Sequence, residues 1–193
     1  MRSYINLAKF TSQIGGTQIS LNFLTEAANL LINDNKKKYG EQIPENFASE
    51  FSLNDNKNLK NDFNLYIRNL YYLYPTSRDT YNFSRIFYDL ALIAFKNDAD
   101  DLTLNLLQYA YYISPNTSFW AVELANYYYF ERLSTDALEI LEKCIKLQAP
   151  KKHCQDYWTH IKSQSVANTP GFLLKETEEY YESPSLLKNL SNF

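Results

Sequence analysis

A chain of 193 residues with 45% apolar side chains is long enough to bury a sizeable core and has the composition of a globular protein. Its formal net charge of −3 argues against nucleic acid as the main partner, because nucleic-acid-binding surfaces are basic. The one basic cluster, Lys36-Lys37-Lys38, lies at a predicted helix end, where positive charge suits the helix dipole. No apolar run has the length of a membrane span, and the N-terminus lacks the apolar core of a signal peptide. The sequence as given therefore predicts a soluble chain and favours the cytoplasm.

Residues 1–57 predict a helical segment that ends in a loop. Apolar spacing predicts a short helix over 3–13 and a longer helix over 17–38, with Gly15-Gly16 between them. The predicted apolar face of the longer helix consists of Ile19, Phe23, Ala27, Leu30 and Leu31. Gly40 is the expected C-cap. Pro44 and several Asn residues predict a loop over 41–57, with a short helix at 45–51, and this loop is the predicted domain boundary.

Six further helices are predicted over residues 58–164. The first runs from Leu59 to Tyr74 and ends at Pro75. Its predicted apolar face consists of Leu59, Phe63, Ile67, Leu70 and Tyr74. Two helix pairs and a single helix follow it, at 81–95 and 102–113, at 119–131 and 135–147, and at 153–164. Asp100 is the predicted N-cap of the helix at 102–113. Residues 165–193 predict a tail with a linker and one or two short helices.

The two helix pairs carry one pattern twice, 34 positions apart. A period of this length is typical of a two-helix repeat. Pro115 closes the first copy, and Pro150 closes the second copy one residue late. The residues Phe87, Leu90, Ala91, Thr103, Leu107 and Ala110 recur as Ala121, Leu124, Ala125, Ala137, Leu141 and Cys144.

This pattern resembles the tetratricopeptide repeat family. The first copy matches through Phe87, Leu90, Ala91, Leu107, Ala110 and Pro115, and the second through Leu124, Ala125, Tyr128, Ala137 and Leu141. Thr103 and Ala121 depart from the family pattern, which has an alanine and a tryptophan there. The resemblance implies an all-α fold of antiparallel helix pairs, stacked as a short α-solenoid. We expect three parts, namely an N-terminal helical segment over 1–57, the repeats over 58–164 and a tail over 165–193.

The sequence carries no catalytic signature and predicts no cofactor. It has four glycines and no phosphate-binding glycine loop, and its serines lie in no nucleophile elbow. His153, Cys154 and His160 lack the spacing of a zinc site. Asp98, Asp100 and Asp101 lack the glycine and the final glutamate of a calcium loop. We therefore expect no metal site and no enzyme activity within this chain.

Cys144 and Cys154 allow two interpretations, because they lie ten residues apart across a predicted turn. The favoured one is that Cys144 is a buried free thiol in the small-residue position of the repeat. The alternative is a disulfide, which would indicate an oxidising compartment such as the periplasm.

The resemblance also implies a function, which is to bind another protein or a peptide in a concave groove lined by the first helix of each pair. We expect an extended or helical apolar segment as the ligand. Leu90, Leu124 and Leu141 are expected in the core, whereas Tyr88, Asn126 and Tyr129 are expected to face the groove. The positions implied for the groove are Arg85, Tyr88, Leu92, Phe95, Phe119, Asn126, Tyr129, Phe130, Asp156 and His160.

A second hypothesis belongs to another class. The general form of the chain also resembles the soluble, extracytoplasmic C-terminal segment of bacterial membrane enzymes that polymerise or transfer oligosaccharides. In that case the chain would be the non-catalytic part of a membrane-associated assembly. A disulfide between Cys144 and Cys154 would favour this hypothesis.

Overall fold

The protein is all-helical in the computed structural model, which describes residues 2–39, 51–53, 55–70, 80–147 and 152–163. This confirms the predicted fold class. Within those ranges eight helices follow one another: α1 Arg2–Gln13, α2 Thr17–Tyr39, α3 Lys57–Arg68, α4 Thr80–Lys96, α5 Asp100–Ile113, α6 Ser118–Phe130, α7 Ser134–Leu147 and α8 Lys152–Ser163.

The predicted helices agree with these bounds within one or two residues, except at two places. Helix α3 ends at Arg68, where Asn69 is its C-cap, and not at Tyr74. Asp100 is the first residue of α5 and therefore does not precede it as an N-cap. The expectations for Gly40, for a short helix at 45–51, for Pro75, for Pro150 and for the tail at 165–193 lie outside the described residues.

The helices form two compact units, divided between Ile113 and Ser114. In the first unit α1 packs on α2 and α3, α2 also packs on α3 and α5, and α4 packs on α3 and α5. In the second unit the three helices α6, α7 and α8 all pack on one another. Each unit therefore contains one of the two helix pairs. The predicted division near residue 57 stays a prediction, although the ring of Phe51 contacts the ring of Tyr109, with centroids 4.7 Å apart.

The apolar face of α2 agrees with the expected one only in part: Ala27 is fully buried, and Phe23 and Leu31 are half-buried. Ile19 and Leu30, which were predicted to be buried, are 52% and 48% exposed. Leu21, Leu24 and Ala28 are fully buried instead. The helix carries two apolar rows about 200° apart, as positions 19 and 21 are, and spacing alone does not decide which row packs. The packed row contains Ala27 and Ala28, which allow close approach to neighbouring helices.

Helices α2 and α5 are joined by polar contacts as well as by their apolar faces. The Asn35 Nδ2 group donates to the carbonyl oxygens of Tyr112 and Ile113, at 2.8 Å each. These carbonyls belong to the last turn of α5, where no helical donor remains for them. The Tyr109 hydroxyl donates to Asn29 Oδ1 at 3.0 Å. Two asparagines of α2 thus hydrogen-bond to α5, one to a tyrosine hydroxyl and one to two carbonyl oxygens at its C-terminus.

The turns that follow α4 and α6 have the same backbone conformation, and they lie 34 residues apart, as the repeat in the side chains does. Each first helix ends in a Schellman motif, in which one residue has a positive φ. That residue is Asp98 after α4, with φ 55°, and Arg132 after α6, with φ 62°. The amide of Ala99 donates to the Ala94 carbonyl at 3.0 Å, and 34 positions later the amide of Leu133 donates to the Tyr128 carbonyl at 2.8 Å.

The core of the second unit contains the small residues that the repeat predicts. Ala125 and Ala137 are fully buried, as is Leu141, and the Trp120 ring is 1% exposed. Cys144 and Cys154 form a disulfide that joins α7 to α8, with their Cα atoms 6.3 Å apart. The expectation of a free thiol at Cys144 is therefore wrong for this structure. The small-residue position of the repeat faces the start of α8, which carries a second cysteine.

None of the described helices is both long enough and apolar enough to cross a lipid bilayer.

Candidate partner-binding site

The predicted groove positions of α4 differ in exposure along the helix. Arg85 and Tyr88, in its N-terminal half, are 9% and 5% exposed. Leu92 is half-buried, and Phe95, in the last turn, is 36% exposed. Only the C-terminal end of α4 therefore offers these side chains to a partner. We call Leu92 and Phe95 the first helix-end surface.

On α6, too, the predicted positions are more exposed towards the C-terminal end of the helix. Phe119 and Asn126 are 7% and 1% exposed. Tyr129, which is 34 positions after Phe95, is half-buried, and Phe130 is 47% exposed. We call Tyr129 and Phe130 the second helix-end surface. Both copies thus place an aromatic side chain at the accessible end of the first helix, just before the turn.

Three of the predicted positions in the second unit, Asn126, Tyr129 and His160, lie around Tyr157. Tyr157 belongs to α8 and was not among the predicted positions. The Tyr157 hydroxyl donates to Asn126 Oδ1. The His160 ring stacks on the Tyr157 ring, with centroids 6.0 Å apart and planes 15° apart. Tyr129 is near enough to act electrostatically on the Tyr157 hydroxyl. Asp156, by contrast, is exposed on α8.

The Tyr157 side chain is held in its neutral form. Burial raises the pKa of Tyr157, and the nearby Glu123 carboxylate and Tyr129 raise that pKa further. A neutral phenol keeps its proton to donate, so the hydrogen bond to Asn126 is stable over the ordinary pH range. This places Asn126 in an internal contact between α6 and α8. Its role in binding a partner stays a prediction.

The structure also reveals two buried carboxylates that the sequence reasoning missed. Asp89 on α4 and Glu123 on α6 are both fully buried and lie 34 positions apart. Each directly precedes the Leu-Ala pair of its copy. An acidic residue at the same position of both copies was visible in the alignment of the copies. The sequence alone favours exposure of these two residues, because acidic side chains are rarely fully buried.

Asp89 has polar partners on two helices. The Tyr66 hydroxyl of α3 donates to Asp89 Oδ2 at 2.9 Å. Arg85 Nε lies 3.9 Å from the same oxygen, one helical turn earlier on α4. Burial and the Asp89 carboxylate raise the pKa of Tyr66 well above its usual value. Arg85, which was predicted to face the groove, is thus the counter-ion of a buried carboxylate.

The polar clusters around Asp89 and Tyr157 are contacts between helices. Over the described ranges, no group of three or more His, Cys, Asp or Glu side chains is arranged to hold a metal ion. The clusters join α3 to α4 in the first unit and α6 to α8 in the second. The predicted positions that are at least partly exposed are the two helix-end surfaces, His160 and Asp156.

Comparison with protein-family models, with curated protein sequences and with solved structures gave no match.

Proposed function

We propose that this chain is a protein-interaction module of the two-helix repeat type, which binds an apolar extended or helical segment of another protein. The observation that carries the proposal is the repetition of one turn at 34 residues, with the positive φ at Asp98 and at Arg132. A helix pair copied in this way is typical of repeats that present binding surfaces on their first helices. The proposal includes the tetratricopeptide-like solenoid that the sequence predicts.

The residues that we expect to contact the partner are those of the two helix-end surfaces. They comprise Leu92 and Phe95 in the first copy, and Tyr129 and Phe130 in the second. Aromatic side chains with partial exposure suit this role, because they bury a large area on binding at a low cost in side-chain entropy. Asp156 adds an exposed charge on α8, and His160 adds a half-buried imidazole beside Tyr157.

Affinity capture from the organism that makes the protein tests the proposal. Wild-type protein and the variants Phe95→Ala and Tyr129→Ala are immobilised at equal density, and captured proteins are quantified by mass spectrometry. Removal of an interface aromatic side chain typically weakens binding about tenfold or more. We expect one set of proteins to be depleted by both variants.

Leu65→Ala is the matched control, because Leu65 is a 45% exposed apolar side chain on α3, outside both helix-end surfaces. Thermal melts of all the variants show whether each one is folded. Equal capture by wild-type protein, Phe95→Ala and Tyr129→Ala would contradict the proposal. Equal depletion by Leu65→Ala would also contradict it, because the effect would then not be specific to these surfaces.

The disulfide favours the second candidate function. Disulfides persist outside the reducing cytoplasm, and the bond between Cys144 and Cys154 joins two helices of one unit. We therefore propose the periplasm or the cell exterior over the cytoplasm. In that setting the chain would be the extracytoplasmic part of a membrane oligosaccharide polymerase or transferase. Membrane spans encoded in frame before Met1 would favour this candidate, and an upstream stop codon would exclude it.

A further inference from the structure

Helix α8 is held on its unit by a covalent bond and by a small buried face. Three of its twelve side chains are buried, namely those of Cys154, Tyr157 and Ile161. One of the three, Cys154, is itself the residue that is bonded to Cys144 of α7. A helix of this length is marginal in water by itself, so α8 depends on its unit for its helical conformation. The disulfide is therefore a main part of what keeps α8 folded on α6 and α7.

Two polar contacts of α8 accompany the disulfide. The Tyr157 hydroxyl donates to Asn126 Oδ1 of α6 in a buried place. Trp158 Nε1 donates to Glu142 Oε1 of α7 at 3.3 Å, in an exposed place where water competes for both groups. The buried hydrogen bond to Asn126 is thus the stronger of the two contacts, and it joins α8 to a helix that the disulfide does not reach.

Helices α6 and α7 are also joined to each other without α8. The Leu133 amide donates to the Tyr128 carbonyl at 2.8 Å and closes the short turn between the two helices. Packing two helices that are already joined by a short turn has a small cost in chain entropy. We therefore expect this pair to stay folded when α8 is released. Both helices carry fully buried apolar side chains, which are Leu124, Ala125, Ala137 and Leu141.

We propose that the bond between Cys144 and Cys154 is a redox-sensitive switch, whose reduction by a dithiol releases α8 from α6 and α7. Cys144 is 7% exposed and Cys154 is fully buried, so the attack falls on Cys144 Sγ. A thiolate of the dithiol bonds to that sulfur, the bond between the two cysteines breaks, and Cys154 leaves and takes a proton. The second thiol of the dithiol then displaces Cys144. The dithiol ends as a disulfide, and its two hydrogen atoms end on the two cysteines.

Release of α8 would uncover the side of α6 that carries Asn126. This side chain is 1% exposed while Tyr157 is hydrogen-bonded to it. Asn126 is one of the positions implied for the partner-binding groove, so reduction would make a further part of that predicted groove accessible. The release itself does not depend on the function proposed for the helix-end surfaces.

Hydrogen–deuterium exchange of the full chain, read by mass spectrometry of its peptides, tests the release. Oxidised wild type is compared with wild type treated with dithiothreitol and with the variant Cys144→Ala, Cys154→Ala. We expect the amides of α8 to exchange about thirtyfold or more faster in the reduced protein and in the variant, because the loop constraint is lost. The amides of α6 and α7 should keep their protection. The variant treated with dithiothreitol is the control for the reagent and should not change further.

Three results would overturn the proposal. The first is unchanged exchange in α8 after reduction. The second is an equal loss of protection in α6, α7 and α8, because the disulfide would then stabilise the whole unit. Leu141→Ala, which removes a fully buried side chain of α7, shows how such a general loss looks in the same peptides. The third is a disulfide that dithiothreitol leaves intact in the folded protein, as measured by intact mass.

Discussion

Asp98 and Arg132 stand 34 residues apart and share one left-handed backbone conformation, with φ angles of 55° and 62°. An L-residue in this conformation costs about 1–2 kcal/mol relative to ordinary helical backbone. Aspartate tolerates it better than arginine, because its short polar side chain bonds locally. After α1 the equivalent position is Gly15, with φ 80°, where no such cost arises.

The first prediction concerns this cost. Arg132→Gly should stabilise the protein by about 1 kcal/mol, because glycine adopts the left-handed conformation without strain. Gly15→Ala should destabilise it by a similar amount through the backbone alone, since a Cβ at Gly15 would have no heavy atom within 4 Å. Urea denaturation measures both effects.

Arg132→Ala is the matched control for the first prediction, because it removes the long side chain but keeps an L-residue. It should leave stability nearly unchanged. A gain equal to that of Arg132→Gly would show that the side chain, and not the backbone angle, is responsible.

The second prediction separates a structural role of Asn126 from a binding role. Asn126→Ala leaves the Tyr157 hydroxyl without its acceptor in a buried site, which should cost about 1–3 kcal/mol of stability. Tyr157→Phe removes the other partner. Because the two residues share one hydrogen bond, the double variant should lose less stability than the sum of the single losses. Strict additivity in urea denaturation would contradict the contact.

The third prediction is a loss of stability in alkali. Burial raises the pKa of Tyr111 to about 12, whereas a tyrosine in the unfolded chain ionises near pH 10. The unfolded state therefore releases this proton first. The contribution of the neutral Tyr111 side chain to the free energy of unfolding is fully present below about pH 10, and it declines as the pH rises towards 12. At pH 11 the loss from this residue is about 1.4 kcal/mol.

Tyr111→Phe measures that contribution, because it removes the ionisable group and retains the ring. We compare the free energies of unfolding of wild type and variant at pH 8 and at pH 11. The variant should lose about 1.4 kcal/mol less than wild type over this interval. An identical loss would mean that Tyr111 ionises equally in the folded and unfolded states.

The fourth prediction concerns the bond between Cys144 and Cys154. A disulfide that closes a loop of this length should stabilise the protein by about 2–3 kcal/mol. The double variant Cys144→Ala, Cys154→Ala should lose that amount and should no longer respond to reductant. The intact mass of non-reduced wild-type protein should be lower than that of the reduced protein by two hydrogen atoms. A wild-type melting temperature unchanged by reductant would argue against the bond.

The sequence predicted the helices well, because their apolar spacing and their stop signals are local properties. Leu59, Phe63 and Ile67 were expected on the packed face of α3, and all three are fully buried. The same holds for Leu90 and Leu124 in the two copies. In α3 the buried residues lie on one side, so local spacing identifies them, whereas α4 and α6 are buried around most of their circumference.

The incorrect or missing expectations depended on contacts distant in sequence. Helix α2 has two apolar rows, and its packing on α1, α3 and α5 selects the row of Leu21. Asp89 is buried because Tyr66, 23 positions earlier, donates to it. The hydrogen bond of Asn126 was not expected, because its partner Tyr157 belongs to α8, 31 positions later. Local periodicity contains no information on such partners.

The ends of the first helices, before the two repeated turns, are proposed to contact a partner. Site-specific photo-crosslinking detects such a contact in the full chain. A photoreactive phenylalanine analogue replaces Phe95, Tyr129 or, as the control, Leu65 in the full chain, which is then irradiated in the organism that makes it. We expect positions 95 and 129 to yield the same crosslinked protein and position 65 not to yield it. Crosslinks at position 65 alone, or none at positions 95 and 129, would contradict it.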